Sequence, residues 1–264
     1  MKIPNHLYLI TGSSSGLGLS TAQTLHRLGA YVALFDLNPA GAQLVKELGG
    51  GDGRARFWEV DVGDQESVDR AFEGVREWAK DKGVRWGGTV HAGGVGMVGK
   101  TIDRDLEPFN YETFRAVHKV NLDGSFLIAT RVASEIAKQN QGEKDWSKPE
   151  NAEGEEGDKG VIILMGQLAY GSSKAAVEGL VLPMSRDLAR YGIRVVCIAP
   201  SLFSTNMGKN TSDKTKKSLL ATTLFPARFG LPNEFAALCK SVIENGYLNG
   251  TVIRIDGGGR MAKM

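Results

Sequence analysis

Tyr170 and Lys174 stand four residues apart in the segment Ala-Tyr-Gly-Ser-Ser-Lys. A helix places residues i and i+4 on one face, so this spacing brings the ammonium of Lys174 beside the phenol of Tyr170. A neighbouring cation favours the phenolate and lowers the pKa of a tyrosine from its usual value of about 10. The pair therefore predicts a tyrosine that gives and takes protons, although the same spacing also arises by chance as a surface helix pair.

A glycine-rich segment follows the first apolar run of the chain. Residues 11–18 are Thr-Gly-Ser-Ser-Ser-Gly-Leu-Gly, with glycines at Gly12, Gly16 and Gly18. Between a strand and a helix, such a turn lets backbone N–H groups approach a pyrophosphate at the positive end of the helix. Each motif alone is a weak signal, but together they predict an oxidoreductase that uses a nicotinamide dinucleotide.

Asp36 indicates which dinucleotide is used. It ends the predicted second strand, about twenty residues after the glycine turn, where a carboxylate accepts hydrogen bonds from the adenosine ribose and repels a 2′-phosphate. We therefore predict NAD rather than NADP, the alternative being a solvated aspartate at a strand end. Asp61 and Val62, just after the predicted third strand, are a candidate adenine contact, and the alternative for Asp61 is an ordinary turn residue.

Short β-rich segments alternate with helical patterns along the chain. The predicted strands are His6–Thr11, Tyr31–Phe35, Arg56–Val60, Thr89–Ala92, Val161–Leu164, Ile193–Ala199 and Val252–Ile255. This alternation predicts an α/β fold, a single domain over residues 1–264 with a seven-stranded parallel sheet covered on both faces. The prediction of the fourth strand is the weakest, because Gly87 and Gly88 lower strand propensity where that strand should begin.

The helix that carries the reactive pair has an apolar face. One stripe at helical spacing contains Tyr170, Lys174, Val177, Val181, Met184 and Leu188. The pair therefore continues a surface that packs inward, and we expect its pocket to be partly dry. Pro183 lies within this pattern and is expected to kink the helix, because proline lacks the N–H that the helix needs.

Composition and charge argue against several function classes. The chain has 264 residues with 42% hydrophobic residues, 23% charged residues and a formal net charge of +2, so nothing suggests a nucleic-acid partner. Its compact basic cluster, Lys214, Lys216 and Lys217, is interpreted as a solvated loop. No apolar stretch is long enough to span a bilayer. Two lone cysteines imply neither a disulfide framework nor a zinc site, so we predict no metal and a reducing compartment.

Two segments and the last residues complete the expected organisation. Residues 140–160 are polar, acidic and rich in glycine, and we expect a mobile surface loop; residues 202–225 are the expected substrate loop. Few residues precede the first strand, which leaves no room for a signal peptide. Ala262-Lys263-Met264 resembles a loose peroxisomal address, so the location is expected to be cytoplasmic or, if this tripeptide is a signal, peroxisomal.

Taken together, these motifs resemble the short-chain dehydrogenase/reductase family along nearly the whole chain. The similarity is carried by Thr-Gly-x-x-x-Gly-x-Gly, Asp61-Val62, Asn121-Leu122-Asp123-Gly124-Ser125-Phe126, Tyr170-x-x-x-Lys174 and Ile193-Arg194-Val195. Residues 198–205, 225–230 and 248–257 further resemble the type-2 3-hydroxyacyl-CoA dehydrogenase branch. The resemblance implies a doubly wound Rossmann-type fold, NAD as cofactor, a secondary alcohol such as a 3-hydroxyacyl-CoA as substrate, and a homotetramer.

The resemblance also implies a role for each matching residue. Tyr170 is expected to exchange a proton with the substrate oxygen, Lys174 to lower the pKa of Tyr170 and hold the nicotinamide ribose, and Asn121 to position a water. Independently, Asn121 shares a helical face with Val117, and an amide among apolar groups needs specific partners, the alternative being a structural asparagine. The expected cofactor contacts are Gly12, Ser15, Gly16, Leu17, Gly18, Asp36, Asp61, Val62, Ala92, Tyr170, Lys174, Phe203 and Thr205.

One departure from the family pattern bears directly on activity. The family places a serine at the end of the fifth strand to hold the substrate oxygen, but here only Met165-Gly166-Gln167-Leu168-Ala169 lie between Leu164 and Tyr170. Ser172 and Ser173 lie on other sides of the helix from Tyr170 and are not expected to replace it. Losing one preorganised donor typically costs about 10²–10³ in rate. The alternative function is therefore a catalytically impaired dinucleotide-binding protein that acts as a sensor or assembly partner.

Two milder departures lie elsewhere. His91-Ala92-Gly93-Gly94 replaces the usual Asn-Asn-Ala-Gly after the fourth strand, and Ser201 replaces the glycine that normally follows Pro200.

Overall fold

The computed structural model describes residues 2–48, 53–97, 101–103, 105–151, 157–166, 171–205 and 220–259. Tyr170, the Lys214–Lys217 cluster and the C-terminal tripeptide of the sequence analysis lie outside the described residues.

Seven strands form one parallel sheet. They are β1 His6–Thr11, β2 Tyr31–Asp36, β3 Ala55–Glu59, β4 Arg85–His91, β5 Gly160–Met165, β6 Ile193–Pro200 and β7 Thr251–Ile255. Their order is β3-β2-β1-β4-β5-β6-β7, and every neighbouring pair is parallel. The predicted seven-stranded Rossmann-like α/β sheet is confirmed. The strand order reverses between β1 and β4, which is where open parallel sheets bind ligands at the carboxyl ends of their strands.

Helices connect the strands. In the described part of the chain they are α1 Gly16–Arg27, α2 Gly41–Glu47, α3 Gln65–Lys82, α4 Tyr111–His118, α5 Gly124–Gln139, α6 Gly171–Leu188 and α7 Pro232–Glu244. A π-helical turn, Lys119–Asp123, joins α4 directly to α5. Local chemistry sets several helix ends: the carboxylate of Asp64 caps α3, and the amide oxygen of Asn110 caps α4 by accepting from Thr113 N at 2.8 Å.

Both faces of the sheet are covered by helices. On one face, Phe72 of α3, Ile128 of α5 and Val177 of α6 pack into a single buried cluster. On the other face, Leu25 of α1 and Phe235 of α7 belong to a second buried cluster. Burial of two apolar surfaces against one sheet is the main driving force for this architecture.

The fourth strand begins earlier than predicted. β4 starts at Arg85 rather than Thr89 and includes both glycines that argued against it. A Cβ on Gly87 would lie 2.7 Å from the ring of Tyr8, and one on Gly88 would lie 2.0 Å from the carbonyl oxygen of Val161. Glycine is therefore required at both positions of β4, because the neighbouring strands approach too closely to leave space for a side chain. The register with β1 also shifts between Leu7 and Tyr8, at this same point.

Helix α6 continues through Pro183 to Leu188, so the proline does not end it, and the predicted kink stays a prediction. Of the stripe predicted on this helix, Lys174, Val177 and Val181 are buried. No helix in the described ranges is both long enough and apolar enough to cross a bilayer.

Arg194 ties the amino end of β6 to two other segments. Its guanidinium forms a two-pronged ion pair with the carboxylate of Asp158, at 2.9 and 3.1 Å, and both side chains are buried. It also donates to three backbone carbonyls, those of Val242, Ile243 and Leu248. Asp158 lies near the end of the segment 140–160 that is predicted as a surface loop. The described residues 141–150 of that segment are mostly exposed, and the mobility of the segment stays a prediction.

Candidate active site

Lys174 and Asn121 meet at the carboxyl ends of β4 and β5. Lys174 lies in the first turn of α6 and Asn121 in the π-helical turn, and both side chains are fully or almost fully buried. A Cβ placed on Gly94 would lie 3.0 Å from Asn121 Oδ1 and 3.5 Å from Lys174 Nζ. The amide and the ammonium therefore border the same small space, although they are far apart in the sequence.

The environment of Lys174 favours loss of its proton. Burial lowers the pKa of the Lys174 ammonium from its ordinary value of 10.5 to about 8. Its Nζ donates a hydrogen bond to the carbonyl of Met165, at the end of β5, at 2.9 Å. Because this pKa of about 8 is still above 7, the Lys174 ammonium remains mostly charged at neutral pH. Tyr170, its predicted partner, lies outside the described residues, so their side-by-side placement stays a prediction.

Asn121 is held by backbone groups at both ends of its amide. Its Oδ1 accepts from Val95 N at 2.9 Å, and its Nδ2 donates to Val95 O at 3.0 Å and to Ser173 Oγ at 3.3 Å. The hydroxyl of Ser125 bonds the backbone carbonyl of Asn121 at 2.6 Å. The expectation that this buried amide needs specific partners is confirmed, and the amide fixes the segment that follows β4. Its role in positioning a water stays a prediction.

His91 and Thr11 join the ends of β4 and β1. His91 Nδ1 lies 2.9 Å from Thr11 Oγ1, which also accepts from Gly93 N at 2.8 Å. Burial, and secondly the charge of Lys174, lower the pKa of His91 from 6.5 to about 3, so the imidazole is neutral at physiological pH. Sequence reasoning noted His91 only as a departure from the family pattern and missed Thr11. A hydroxyl just before the first glycine of the turn was the available signal.

The glycine turn is shaped for close backbone approach. Gly12 has φ +63°, and a Cβ there would lie 2.9 Å from the carbonyl oxygen of Ala92. A Cβ on Gly18 would lie 2.2 Å from the carbonyl oxygen of Gly12, so α1 packs directly on the turn. Ser15 occupies the N-cap position of α1 without a side-chain cap bond, and the first N–H groups of a helix, here those of Gly16 and Leu17, have no partner within the helix. These residues fit the pyrophosphate of a dinucleotide.

Asp36 is anchored beside this turn. Its Oδ2 accepts from Ser14 N and its Oδ1 from Asn38 N, each at 2.9 Å. The carboxylate is therefore oriented by the backbone at the end of β2, and each oxygen has a further lone pair for a ribose hydroxyl.

Four other predicted cofactor contacts, Asp61, Val62, Phe203 and Thr205, follow the carboxyl ends of β3 and β6. Thr205 reaches the glycine turn, because a Cβ on Gly16 would lie 3.1 Å from its methyl group. The ring of Phe203 packs edge-on against Phe235, with ring centroids 6.3 Å apart, and its cofactor contact stays a prediction. Asp61 Oδ1 accepts from Gly63 N at 2.9 Å, so the turn role that was its alternative is present, and its adenine contact stays a prediction. Val62 beside it is buried.

The two serines near Tyr170 face other partners than the end of β5. Ser172 Oγ lies 2.9 Å from His118 Nε2, at the end of α4, and Ser173 Oγ accepts from Asn121. Both serines therefore contact α4 or the π-helical turn, and the absence of the family's serine stays a prediction. Sequence reasoning missed His118, and no pattern around it signalled a contact across fifty-four residues.

Comparison with known proteins identifies the class. A family model described as enoyl-(acyl carrier protein) reductase matches residues 12–259. This chain belongs to the short-chain dehydrogenase/reductase family, as its motifs predicted.

Particular relatives lie in one branch of that family. The 3-hydroxyacyl-CoA dehydrogenase type-2 of Bos taurus is 37% identical over 265 residues, which cover 96% of this chain and 94% of the relative. The protein of the same name from Drosophila melanogaster is also 37% identical, over 98% of this chain and 99% of its own. A crystal structure of 3-hydroxyacyl-CoA dehydrogenase type-2 from Mycobacterium avium matches with a TM-score of 0.84 and 31% identity, covering 98% of this chain and 97% of that one.

Proposed function

We propose that this protein is an NAD-dependent dehydrogenase that interconverts a secondary alcohol and a ketone, with a 3-hydroxyacyl-CoA or a similar hydroxy compound of fatty acid metabolism as substrate. The observation that carries the proposal is the convergence of a buried ammonium, Lys174, and a buried amide, Asn121, around Gly94. This site lies next to the glycine turn, at the point where the strand order reverses. The names of its relatives support the substrate class.

In this proposal, each residue has a distinct task. Bound NAD supplies the hydride acceptor. The turn from Gly12 to Gly18 holds the pyrophosphate, and Tyr170 takes the proton from the substrate hydroxyl. The charge of Lys174 stabilises the Tyr170 phenolate, and its N–H groups hold the nicotinamide ribose. Asn121 keeps the segment after β4 in place and positions a water in the proton path.

Asp36 supports NAD over NADP. Its carboxylate is held at the edge of the glycine turn by Ser14 N and Asn38 N, where it accepts from the ribose hydroxyls and repels a 2′-phosphate.

The proposed partners are the small-molecule substrate and further copies of the chain, with no nucleic acid and no membrane. Tyr111 and Phe114 of α4 and Phe126 of α5 are large apolar side chains that are at least 40% exposed, which supports a homo-oligomer, by family a tetramer. Light scattering on the purified protein tests this. The proposed location is the cytoplasm, or the peroxisome if Ala262-Lys263-Met264 directs a fused fluorescent reporter there.

A second candidate function is a dinucleotide-binding protein without turnover. It is favoured by one observation: β5 ends at Met165 and α6 begins at Gly171, with no serine among the residues between them. Such a protein keeps the glycine turn and Asp36 and acts as a sensor or assembly partner.

One experiment separates the two functions. The protein is incubated with NAD and 3-hydroxybutyryl-CoA, NADH absorbance is followed, and NAD binding is measured in parallel by calorimetry. Turnover that disappears in Lys174→Met supports the dehydrogenase. NAD binding without turnover supports the second function, and recovery of activity on inserting a serine-bearing loop after Met165 would identify the shortened connection as the cause. Absence of both binding and turnover contradicts both.

A further inference from the structure

Two consecutive serines at the start of α6 bond to the same neighbouring helix. Ser172 Oγ lies 2.9 Å from His118 Nε2, and Ser173 Oγ accepts from Asn121 Nδ2 at 3.3 Å. His118 ends α4 and Asn121 follows three residues later in the π-helical turn, so the two partners of the serines lie within about one turn of each other. The first bond is exposed to solvent and the second is buried.

Two bonds constrain α6 more than one does. Two bonds from adjacent residues restrain the rotation of the first turn more than either bond alone, and they add to the core packing of Val177 and to the Lys174–Met165 bond. The aromatic ring of Phe114 holds the imidazole of His118 in turn, with ring centroids 4.2 Å apart. The contact partner is therefore itself restrained by packing on α4.

The start of α6 has a particular need for such support. Only residues 166–170 connect the end of β5 to the first residue of α6, and none of them is a serine. Tyr170 directly precedes α6, and Lys174 lies within its first turn. Any displacement of this turn moves both residues, and a misplacement of about 1 Å can cost about a hundredfold in rate.

We propose that His118 and Ser172 are positioning residues, which together with the Asn121–Ser173 bond form a clasp that sets the start of α6 relative to the π-helical turn. The clasp restrains the first turn of α6 from the side of the π-helical turn, in addition to the Lys174–Met165 bond at the end of β5. Its consequence for catalysis rests on the proposed function, whereas its effect on α6 does not.

The test compares variants of the exposed bond only. Ser172→Ala removes the hydroxyl. His118→Phe keeps a ring against Phe114 and removes the ring nitrogens, whereas His118→Gln keeps a polar atom near the position of Nε2. Ser241→Ala is the matched control, because Ser241 is an exposed residue of α7 whose hydroxyl bonds within its own helix at 3.0 Å.

The first measurement is steady-state turnover with NAD. We expect kcat to fall by about threefold to tenfold in Ser172→Ala and in His118→Phe, which is the typical effect of one hydrogen bond. The double variant should lose no more than either single variant, His118→Gln should be close to wild type, and NAD affinity should be unchanged throughout. An unchanged kcat in both single variants of an active protein, or additive losses in the double variant, would overturn the positioning role.

The second measurement is hydrogen exchange at the amides of residues 175–178, whose helical bonds go to the carbonyls of the first turn of α6, and it needs no turnover. Exchange should be faster in Ser172→Ala and in His118→Phe, and unchanged in His118→Gln and Ser241→Ala. Unchanged exchange in the first two variants would overturn the clasp. If the wild-type protein shows no turnover at all, the proposed function fails, while the exchange rates still decide whether the clasp exists.

Discussion

The ammonium of Lys174 donates a hydrogen bond to the backbone carbonyl of Met165 at 2.9 Å, which ties the first turn of α6 to the carboxyl end of β5. This bond spans the five-residue connection between β5 and α6. The Lys174 side chain is buried, and a buried charge costs free energy unless it is hydrogen-bonded, so this bond offsets part of that cost.

Lys174→Met is expected to remove a pH dependence of stability. Burial lowers the pKa of folded Lys174 from 10.5 to about 8, so the unfolded chain binds this proton more tightly and wild-type stability rises as pH increases from 8 to 10.5. The stability of wild type relative to the variant should therefore increase by about 3 kcal/mol across that range, and turnover should be lost. Urea unfolding at a series of pH values measures this. Lys80→Met, on the exposed side of α3, is the control and should keep the pH dependence of the wild type. If the free energies of unfolding of wild type and Lys174→Met changed in parallel with pH, the lowered pKa of buried Lys174 would be contradicted.

His91→Asn is expected to protect the protein from acid. Because the pKa of folded His91 is lowered from 6.5 to about 3, the wild type loses stability as pH falls below 6.5, when the unfolded chain takes up the proton. Asn keeps a polar group near Thr11 but does not titrate, so its advantage should grow by about 1.4 kcal/mol per pH unit from pH 6.5 to 4. Urea unfolding at pH 7, 5.5 and 4.5 tests this, and equal acid sensitivity of both proteins would refute it.

Substitution of Asp36 is expected to change cofactor preference. Asp36→Ala removes the acceptor for the ribose hydroxyls, so NAD binding should weaken by about tenfold, and Asp36→Asn should improve NADP binding relative to NAD because the repulsive charge is gone. Calorimetric titration with each dinucleotide measures both effects. Glu59→Ala is a matched control, because Glu59 is the exposed register partner of Asp36 on β3. An unchanged NAD to NADP ratio in both Asp36 variants would show that Asp36 does not select the cofactor.

Arg194→Leu is expected to destabilise the fold by about 3–5 kcal/mol, because it leaves the buried Asp158 carboxylate without its cation. The exposed pair Arg228–Glu234 gives the comparison, and Arg228→Leu should cost less than about 1 kcal/mol. Urea unfolding at pH 7 measures both variants. Equal effects at the two sites would mean that burial does not set the value of the Arg194 pair.

The sequence by itself determined the class of fold and most of its elements. Alternating apolar segments and helical stripes are local patterns, so they identified seven strands and the apolar face of α6, and the glycine turn and Asp36 are recognisable from spacing alone. The start of β4 was misjudged for the same reason: the propensity of Gly87 and Gly88 is local, but their need for space comes from Tyr8 and Val161 on neighbouring strands.

Only the tertiary structure decided how distant residues meet. The parallel sheet with β1 beside β4 brings Thr11 against His91, eighty positions away, and the packing of α6 on the π-helical turn brings Ser172 to His118 and Ser173 to Asn121. The charge environment of Lys174 likewise follows from its burial beneath strands and helices that are remote in the chain. Such contacts depend on strand order and helix packing, which no spacing along the sequence encodes.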